Sequence, residues 1–247
     1  MSELEWVGKP AIQAGVIERE FELRANGRTV PGVLWLSVSA DAPEPLVLHG
    51  HGGSGHKRAD NVLRSARKTV TECGIAVAAI DGPVHGDRAT PESEALREQD
   101  RDAWRREFLE GNTYNEMAQD WKATLDALSA LDEIDASRIG YRGLSMGTRY
   151  GIPFVAAEPR IKVAALGLNS SQRERLMADA PKIQCPVLFI QQLEDELMPR
   201  NAVLELFDAI GTSDKRLHAN PGAHAAVPPD EQDAIRAFLA GHLNAHE

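Results

Sequence analysis

The residue types with the clearest capacity for chemistry lie in one short stretch, Gly143-Leu144-Ser145-Met146-Gly147. The stretch follows a short strand-like run at 139–142, and the residues behind it can begin a helix. A serine at the tip of so sharp a turn needs close neighbours without side chains, and Gly143 and Gly147 meet that need. The pattern predicts a nucleophile, Ser145, whose hydroxyl points out from the edge of a sheet.

A serine hydroxyl becomes an effective nucleophile only beside a base, and that base needs an orienting acid. An acidic run at 194–196 follows a strand-like run at 187–191. Because the carboxyl ends of parallel strands meet at one edge of a sheet, we expect this run to lie near Ser145. On position alone, any of its three carboxylates could orient the base.

The strand, serine turn and helix resemble the α/β-hydrolase arrangement, in which the acid follows the serine and the base follows the acid. That resemblance limits the base to His218, His224, His242 and His246. His218 lies within a strand-like run at 216–219, and the last two lie on the terminal helix and tail. His224 lies in the loop directly after that run, where a base could reach the serine. We therefore predict His224 as the base.

A glycine-dense loop, His49-Gly50-His51-Gly52-Gly53-Ser54-Gly55-His56-Lys57, connects a strand at 46–48 to a helix at 59–73. Its four glycines exceed what a plain turn needs, so we expect the loop to approach a ligand closely. It should present free backbone N–H groups at the same sheet edge. Together with the helix that begins behind Ser145, it could stabilise a developing anion.

The remaining elements predict the scaffold. Alternating runs at 16–24 and 29–38 flank an Asn-Gly turn and indicate an antiparallel hairpin. Buried strand-like runs then alternate with amphipathic helices, which predicts a single α/β domain over residues 1–247. We expect a mostly parallel eight-stranded sheet with that N-terminal hairpin and with helices on both faces. The charged segment at 88–114 is predicted to be a small lid with one amphipathic helix, or alternatively an ordinary connecting helix.

These motifs resemble those of serine esterases with the α/β-hydrolase fold, of the dienelactone-hydrolase-like or prolyl-oligopeptidase-like sort. The likeness covers nearly the whole chain. Gly143–Gly147 matches the family's nucleophile turn, and Gly222-Ala223-His224 resembles its G-x-H base loop. Asp195-Glu196-Leu197-Met198-Pro199 is similar to its D-x-x-V-P loop, with Met in place of Val. That match selects Asp195 as the acid.

The resemblance implies a Ser145–His224–Asp195 triad and an oxyanion hole built from the backbone N–H groups of Gly53 and Met146. The family's His-Gly motif can be read as His49-Gly50 or as His51-Gly52. The second reading is preferred, because Gly53 then follows as the donor. The resemblance implies no cofactor and no metal.

The implied substrates are small carboxylic esters, with thioesters and amides as alternatives because the same triad serves all three. A non-catalytic binding module on the same fold is a further alternative. The candidate pocket residues are His51, Gly52, His85, Trp104, Phe108 and Met198. The clustered histidines could suggest a metal site, but they lack the paired spacing of zinc ligands. Asp81 and Asp87 are expected to hold loops in place.

Composition narrows the partners and the compartment. The chain has 27 basic and 37 acidic residues, which gives a net charge of −10. This charge argues against nucleic acids and anionic membranes as binding partners. No apolar run reaches the ~18 residues of a membrane span, and no secretory leader is evident at the start. Cys73 and Cys185 are expected to be reduced core residues. We therefore expect a soluble, cytoplasmic protein, and its oligomeric state is left open.

Overall fold

The computed structural model describes residues 3–245 and contains, within that range, one nine-stranded sheet. Its strands are β1 (Glu3–Gln13), β2 (Val16–Ala25), β3 (Arg28–Ser37), β4 (Glu44–Gly50), β5 (Ala76–Ile80), β6 (Ile134–Gly143), β7 (Ile161–Gly167), β8 (Val187–Gln192) and β9 (Lys215–Asn220). Their order across the sheet is β1-β2-β3-β5-β4-β6-β7-β8-β9. Strands β4 to β9 run parallel, and β1 to β3 are antiparallel at one edge.

The mostly parallel sheet and the N-terminal hairpin confirm the predicted fold class. Asn26 and Gly27 both have positive φ, 53° and 74°, the backbone that a two-residue hairpin turn requires. The strand count was wrong by one, because β1 also pairs with β2 through a turn at Ala14 and Gly15. Most of β1 is exposed on both faces, so its sequence lacks the alternation that reveals a half-buried strand.

Eight α-helices lie within the described residues. They are α1 (Asp60–Cys73), α2 (Pro91–Gln99), α3 (Arg101–Phe108), α4 (Thr113–Leu128), α5 (Met146–Ala157), α6 (Glu174–Asp179), α7 (Arg200–Ala209) and α8 (Pro229–Leu243). Helices α1 and α8 pack on one face of the sheet, while α4 to α7 contribute to the core on the other. The predicted covering of both faces is therefore confirmed. No helix among these residues is both long and apolar enough to span a bilayer.

The segment at 88–114 forms two short helices instead of the one that was predicted. Asp100 separates α2 from α3, and its carboxylate accepts hydrogen bonds from the N–H groups of Asp102 and Ala103, which caps α3. Trp104 of α3 is only 1% exposed, so the segment is anchored to the body of the protein by a large apolar side chain.

The central strands place the glycine-dense loop next to the turn that holds Ser145. Strands β4 and β6 are neighbours, and Gly50 pairs with Gly143 at their carboxyl ends. The glycine-dense loop leaves β4 at that point, and the turn that holds Ser145 leaves β6. The two loops therefore lie side by side at the sheet edge.

Candidate active site

Ser145 sits on a strained turn between β6 and α5, with φ 58° and ψ −113°. A Cβ on Gly143 would lie 2.6 Å from the backbone of Gly147, and a Cβ on Gly147 would lie 2.5 Å from the carbonyl oxygen of Gly50. Glycine is therefore required at both positions. The Ser145 N–H donates to the Gly167 carbonyl at 3.0 Å, and the Asn169 side chain donates to the Ser145 carbonyl at 3.0 Å. These bonds hold a backbone that would otherwise relax.

Three of the predicted residues are joined by hydrogen bonds at this edge. The Ser145 hydroxyl lies 2.8 Å from His224 Nε2, and Asp195 Oδ2 lies 2.7 Å from His224 Nδ1. The Asp195 side chain is 2% exposed and that of His224 is 10% exposed. With a proton on Nδ1, the imidazole can donate to the carboxylate and accept from the hydroxyl. This geometry allows His224 to take the serine proton.

The acidic run contacts the base loop at three points. Asp195 Oδ1 accepts hydrogen bonds from the N–H groups of Leu197 and Met198, which leaves Oδ2 for His224. Glu196 accepts from the His224 N–H at 2.9 Å, and Glu194 accepts from a neighbouring N–H of the same loop. The hydrogen bond from the His224 N–H lowers the pKa of Glu196. Asp195 is thus the carboxylate at the imidazole, and its two neighbours hold the backbone that carries the imidazole.

The peptide between Gly52 and Gly53 is oriented by its carbonyl group. That carbonyl accepts from His51 Nδ1–H at 2.8 Å and from the Gly55 N–H at 3.0 Å. In a planar trans peptide the N–H points the opposite way, so the Gly53 N–H is directed away from these donors. Within residues 3–245, neither this N–H nor that of Met146 donates a hydrogen bond. A Cβ on Gly53 would lie 3.9 Å from Met146 Cβ, which shows that the two residues face each other.

His51 is the residue that connects this loop to the next one. Its Nε2 accepts from the Gly82 N–H at 2.8 Å, so the proton must be on Nδ1. Burial disfavours the cation and, with repulsion from His85, lowers the pKa of His51 to about 4. His51 is therefore neutral near pH 7 and keeps one tautomer. Gly50 packs instead beneath the turn, against Tyr141 and Gly147, which supports the His51-Gly52 reading of the motif.

The far side of the loop is supported by the 88–114 segment. The Gly53 carbonyl lies 3.1 Å from His85 Nε2 and accepts from Arg97 at 3.3 Å. The His85 ring also stacks edge-on against Trp104, with ring centroids 5.4 Å apart. Burial lowers the pKa of His85. These contacts hold the carbonyl group of Gly53 in place.

A cavity of about 580 Å³ opens beside Ser145 and His224, on the face of the sheet covered by α1 and α8. Its lining includes the predicted residues His51, Gly52 and Gly53. Four predicted pocket residues, His85, Trp104, Phe108 and Met198, do not belong to that lining. His85 and Trp104 are buried behind the glycine loop, while Phe108 and Met198 pack against the apolar core of the opposite face.

Sequence reasoning missed the polar side of the cavity. Arg142, at the end of β6, lines it together with one side of α1 (Asn61, Arg64, Ser65 and Lys68) and one side of α8 (Gln232, Asp233 and Arg236). A sequence signal for Arg142 was available, because a charged residue stands at the end of a strand-like run three residues before Ser145. The faces of α1 and α8 that line the cavity gave no such sequence signal, because polar residues are common on exposed helix faces.

The two aspartates expected to hold loops do so. Asp81 accepts from the backbone N–H and the Nζ of Lys57, both at 2.8 Å, and from the Asp87 N–H at 2.9 Å. Lys57 Nζ also donates to Asp87 at 2.5 Å. Burial lowers the Lys57 pKa, but the two carboxylates outweigh it, so its pKa is raised. Within residues 3–245, no group of three or more His, Cys, Asp or Glu side chains is placed to hold a metal.

Comparisons with known proteins identify a matching family and similar solved structures. The model of the dienelactone hydrolase family matches residues 37–235. The PEG-bound complex of a cold-adapted esterase from an Arctic intertidal metagenomic library is 40% identical, with a TM-score of 0.87 over 97% of this chain and 99% of that one. An acetyl xylan esterase from Paenibacillus sp. R4 shares the fold at 18% identity, with a TM-score of 0.75 over 98% of this chain and 89% of that one. No curated protein matches the sequence.

Proposed function

The chain belongs to the dienelactone hydrolase family, and from that membership we propose that it is a serine carboxylesterase with a Ser145–His224–Asp195 triad. The observation that carries the proposal is the continuous hydrogen-bonded path from the serine hydroxyl through the imidazole to the buried carboxylate. The similarity to an esterase over 97% of the chain supports the same reaction class. The α/β-hydrolase fold that the sequence motifs predict is consistent with this hydrogen-bonded path and with the similarity to an esterase.

The first half of the reaction forms an acyl-enzyme. Ser145 Oγ attacks the ester carbonyl carbon while its proton passes to His224 Nε2, and Asp195 stabilises the imidazolium. The oxyanion of the tetrahedral intermediate accepts hydrogen bonds from the N–H groups of Gly53 and Met146. The positive end of the α5 dipole lies at the same place. The C–O bond then breaks, and His224 returns the proton to the departing alcohol.

The second half repeats these steps with water. His224 Nε2 removes a proton from a water molecule as its oxygen attacks the acyl carbon bound to Ser145. The same two N–H groups hold the second oxyanion. Collapse of the intermediate breaks the bond to Ser145 Oγ, which recovers the proton from His224. The products are a carboxylic acid and an alcohol.

The cavity supports small, polar esters as substrates. Its volume of about 580 Å³ lies within the range of small-molecule sites. A long alkyl chain along α1 and α8 would have to displace water from Arg64, Lys68 and Arg236, which is unfavourable. The short segment at 88–114 stays a predicted lid. A cytoplasmic location is part of the proposal, and the free thiols of Cys73 and Cys185 are consistent with it.

Fluorophosphonate labelling and hydrolysis of 4-nitrophenyl acetate test the proposal. Wild type should be labelled and active, and Ser145→Ala should lose both properties. Ser171→Ala is the matched control, because its half-buried hydroxyl contacts Glu205 outside the cavity. Labelling that persists in Ser145→Ala would contradict the assignment of the nucleophile. A wild type without label or turnover would favour a binding module instead.

The substrate range needs its own measurement. A series of 4-nitrophenyl esters from acetyl to dodecanoyl should show the highest kcat/KM for the short acyl groups. Acetyl thioesters and anilides, run in parallel, separate ester from thioester and amide hydrolysis. A preference for the longest chains would contradict the small-ester proposal.

A further inference from the structure

The third residue of α5, Thr148, has a fully buried side chain next to the turn that holds Ser145. A threonine hydroxyl in a helix ordinarily donates to the carbonyl four residues earlier in the same helix. Thr69 and Thr124 do so, with bonds of 2.9 Å to the Ser65 carbonyl and 2.8 Å to the Asp120 carbonyl. Thr148 departs from this pattern, because both carbonyls that its hydroxyl contacts lie outside α5.

The contacts of Thr148 connect α5 to the ends of two strands. Its Oγ1 lies 2.7 Å from the carbonyl oxygen of Gly143, where β6 ends, and 2.6 Å from that of Gly167, where β7 ends. The same Oγ1 accepts from the Gly167 N–H at 2.7 Å. A hydroxyl has one proton and two lone pairs, so the proton is shared between the two carbonyls while a lone pair receives the N–H.

Gly167 is held in place through its backbone alone. Its φ is 148°, and a Cβ there would overlap the backbone of Ile190, so only glycine fits. Thr148 contacts both the N–H and the carbonyl of this residue. The Gly167 carbonyl also accepts from the Ser145 N–H at 3.0 Å. Thr148 is therefore connected to the backbone of the nucleophile through a single residue.

The backbone of Ser145 determines the direction of two reacting groups. Its φ of 58° and ψ of −113° are strained, and such a conformation persists only where the surroundings hold it. Gly167 holds the Ser145 N–H, and the Asn169 side chain holds the Ser145 carbonyl. Ser145 carries the attacking Oγ, and the next N–H along the chain is that of Met146. A change in the Ser145 backbone would therefore turn both the nucleophile and a proposed oxyanion donor.

We infer that Thr148 is a positioning residue for the hydrolytic reaction. Its hydroxyl holds Gly167, and Gly167 holds the Ser145 backbone in the strained conformation that directs the nucleophile. This inference rests on the proposed esterase function and adds a residue to the machinery of that site. Thr148 is fully buried and outside the cavity lining, so its effect should fall on kcat and leave KM nearly unchanged.

The substitution Thr148→Val tests the inference, because it removes the hydroxyl and keeps the branched shape of the side chain. We expect kcat for 4-nitrophenyl acetate to fall by about 10- to 100-fold, with KM within about threefold of wild type. Fluorophosphonate labelling should slow by a similar factor, because it depends on the same nucleophile. Thr148→Ser keeps the hydroxyl and loses only the methyl group, so its kcat should stay within about threefold of wild type.

Thr124→Val is the matched control. Thr124 is also fully buried, but its hydroxyl donates within α4, so the same change should leave kcat and the labelling rate at their wild-type values. Urea unfolding establishes that each variant is folded under the assay conditions. If Thr148 only stabilised the fold, a destabilised variant that is still folded would keep the wild-type kcat.

A folded Thr148→Val protein with wild-type kcat would overturn the inference. An equal loss of kcat in Thr148→Ser would also overturn it, because the effect would then belong to the methyl group. If Thr148→Val does not fold, Thr148→Ala compared with Thr148→Ser isolates the hydroxyl instead. If neither hydroxyl-free variant folds, the hydroxyl serves folding and the positioning role is overturned. In each of these cases the esterase proposal stands, provided that wild type is labelled and Ser145→Ala is not.

Discussion

The substitution His51→Ala tests how the loop that carries Gly53 is held in place. It removes the donor to the Gly52 carbonyl and the acceptor for the Gly82 N–H. The carbonyl keeps the Gly55 N–H, but the buried Gly82 N–H loses this partner, which costs about 1–3 kcal/mol. The space left by the ring adds a cavity term. We expect the free energy of unfolding at pH 8 to fall by roughly 2–4 kcal/mol.

We expect His51→Ala to lower kcat as well, independently of its effect on stability. The loop would no longer fix the peptide between Gly52 and Gly53, so the Gly53 N–H would lose its direction. Removing one oxyanion donor lowers kcat by about 10²–10³, and we expect a fall of about 10² for a misdirected one. KM should change little, because the oxyanion exists only in the transition state and the intermediates that resemble it.

The pH dependence identifies the source of the stability change. The pKa of His51 is about 4 in the folded protein, because burial disfavours its cation, and its ordinary value is 6.5. Between these values the unfolded chain binds more protons, so wild type loses stability as the pH falls from 6.5 through 4. At about 1.4 kcal/mol per pH unit, the loss approaches roughly 3 kcal/mol. His51→Ala lacks this loss, so the stability gap should narrow over the same range.

The assay combines urea unfolding from pH 8 to pH 4.5 with 4-nitrophenyl acetate kinetics at pH 8. His56→Ala is the control, because His56 is exposed on the same loop, and both measurements should match wild type. A stability gap that stays constant with pH would refute the neutral, buried state of His51. A kcat within threefold of wild type would refute its role in orienting Gly53.

Three further substitutions follow from the contacts of the site. Asp195→Asn should lower kcat by about 10⁴ through the wrong imidazole tautomer, and a larger loss in Glu194→Gln would reassign the acid. Glu196→Gln should loosen the backbone of the base and lower kcat by up to about 10², with unchanged kinetics arguing against that support. Gly147→Ala places a Cβ 2.5 Å from a backbone carbonyl oxygen and should cost about 1–3 kcal/mol in urea unfolding. Gly241→Ala, with open space at its Cβ, should be neutral or stabilising, and an equal loss there would contradict the steric argument.

Local sequence patterns determined much of the scaffold, because they depend on short-range physics. The Asn26-Gly27 turn needs positive φ at both residues, which few other pairs tolerate, so the hairpin was predictable. The apolar runs of the parallel strands are buried on both faces and were visible for the same reason. The edge strand β1 was missed, because an exposed strand carries no pattern of burial.

The sequence alone also determined which residues could do chemistry, since Gly143 and Gly147 leave Ser145 as the residue at the turn, and His224 and Asp195 follow later strands. Only the tertiary structure decided what surrounds them. Asp195 reaches the imidazole, while Glu194 and Glu196 bind backbone, a choice set by side-chain direction and not by spacing. The cavity and its cations come from α1, β6 and α8, which are far apart in the chain, and no local pattern records which faces of distant elements will meet.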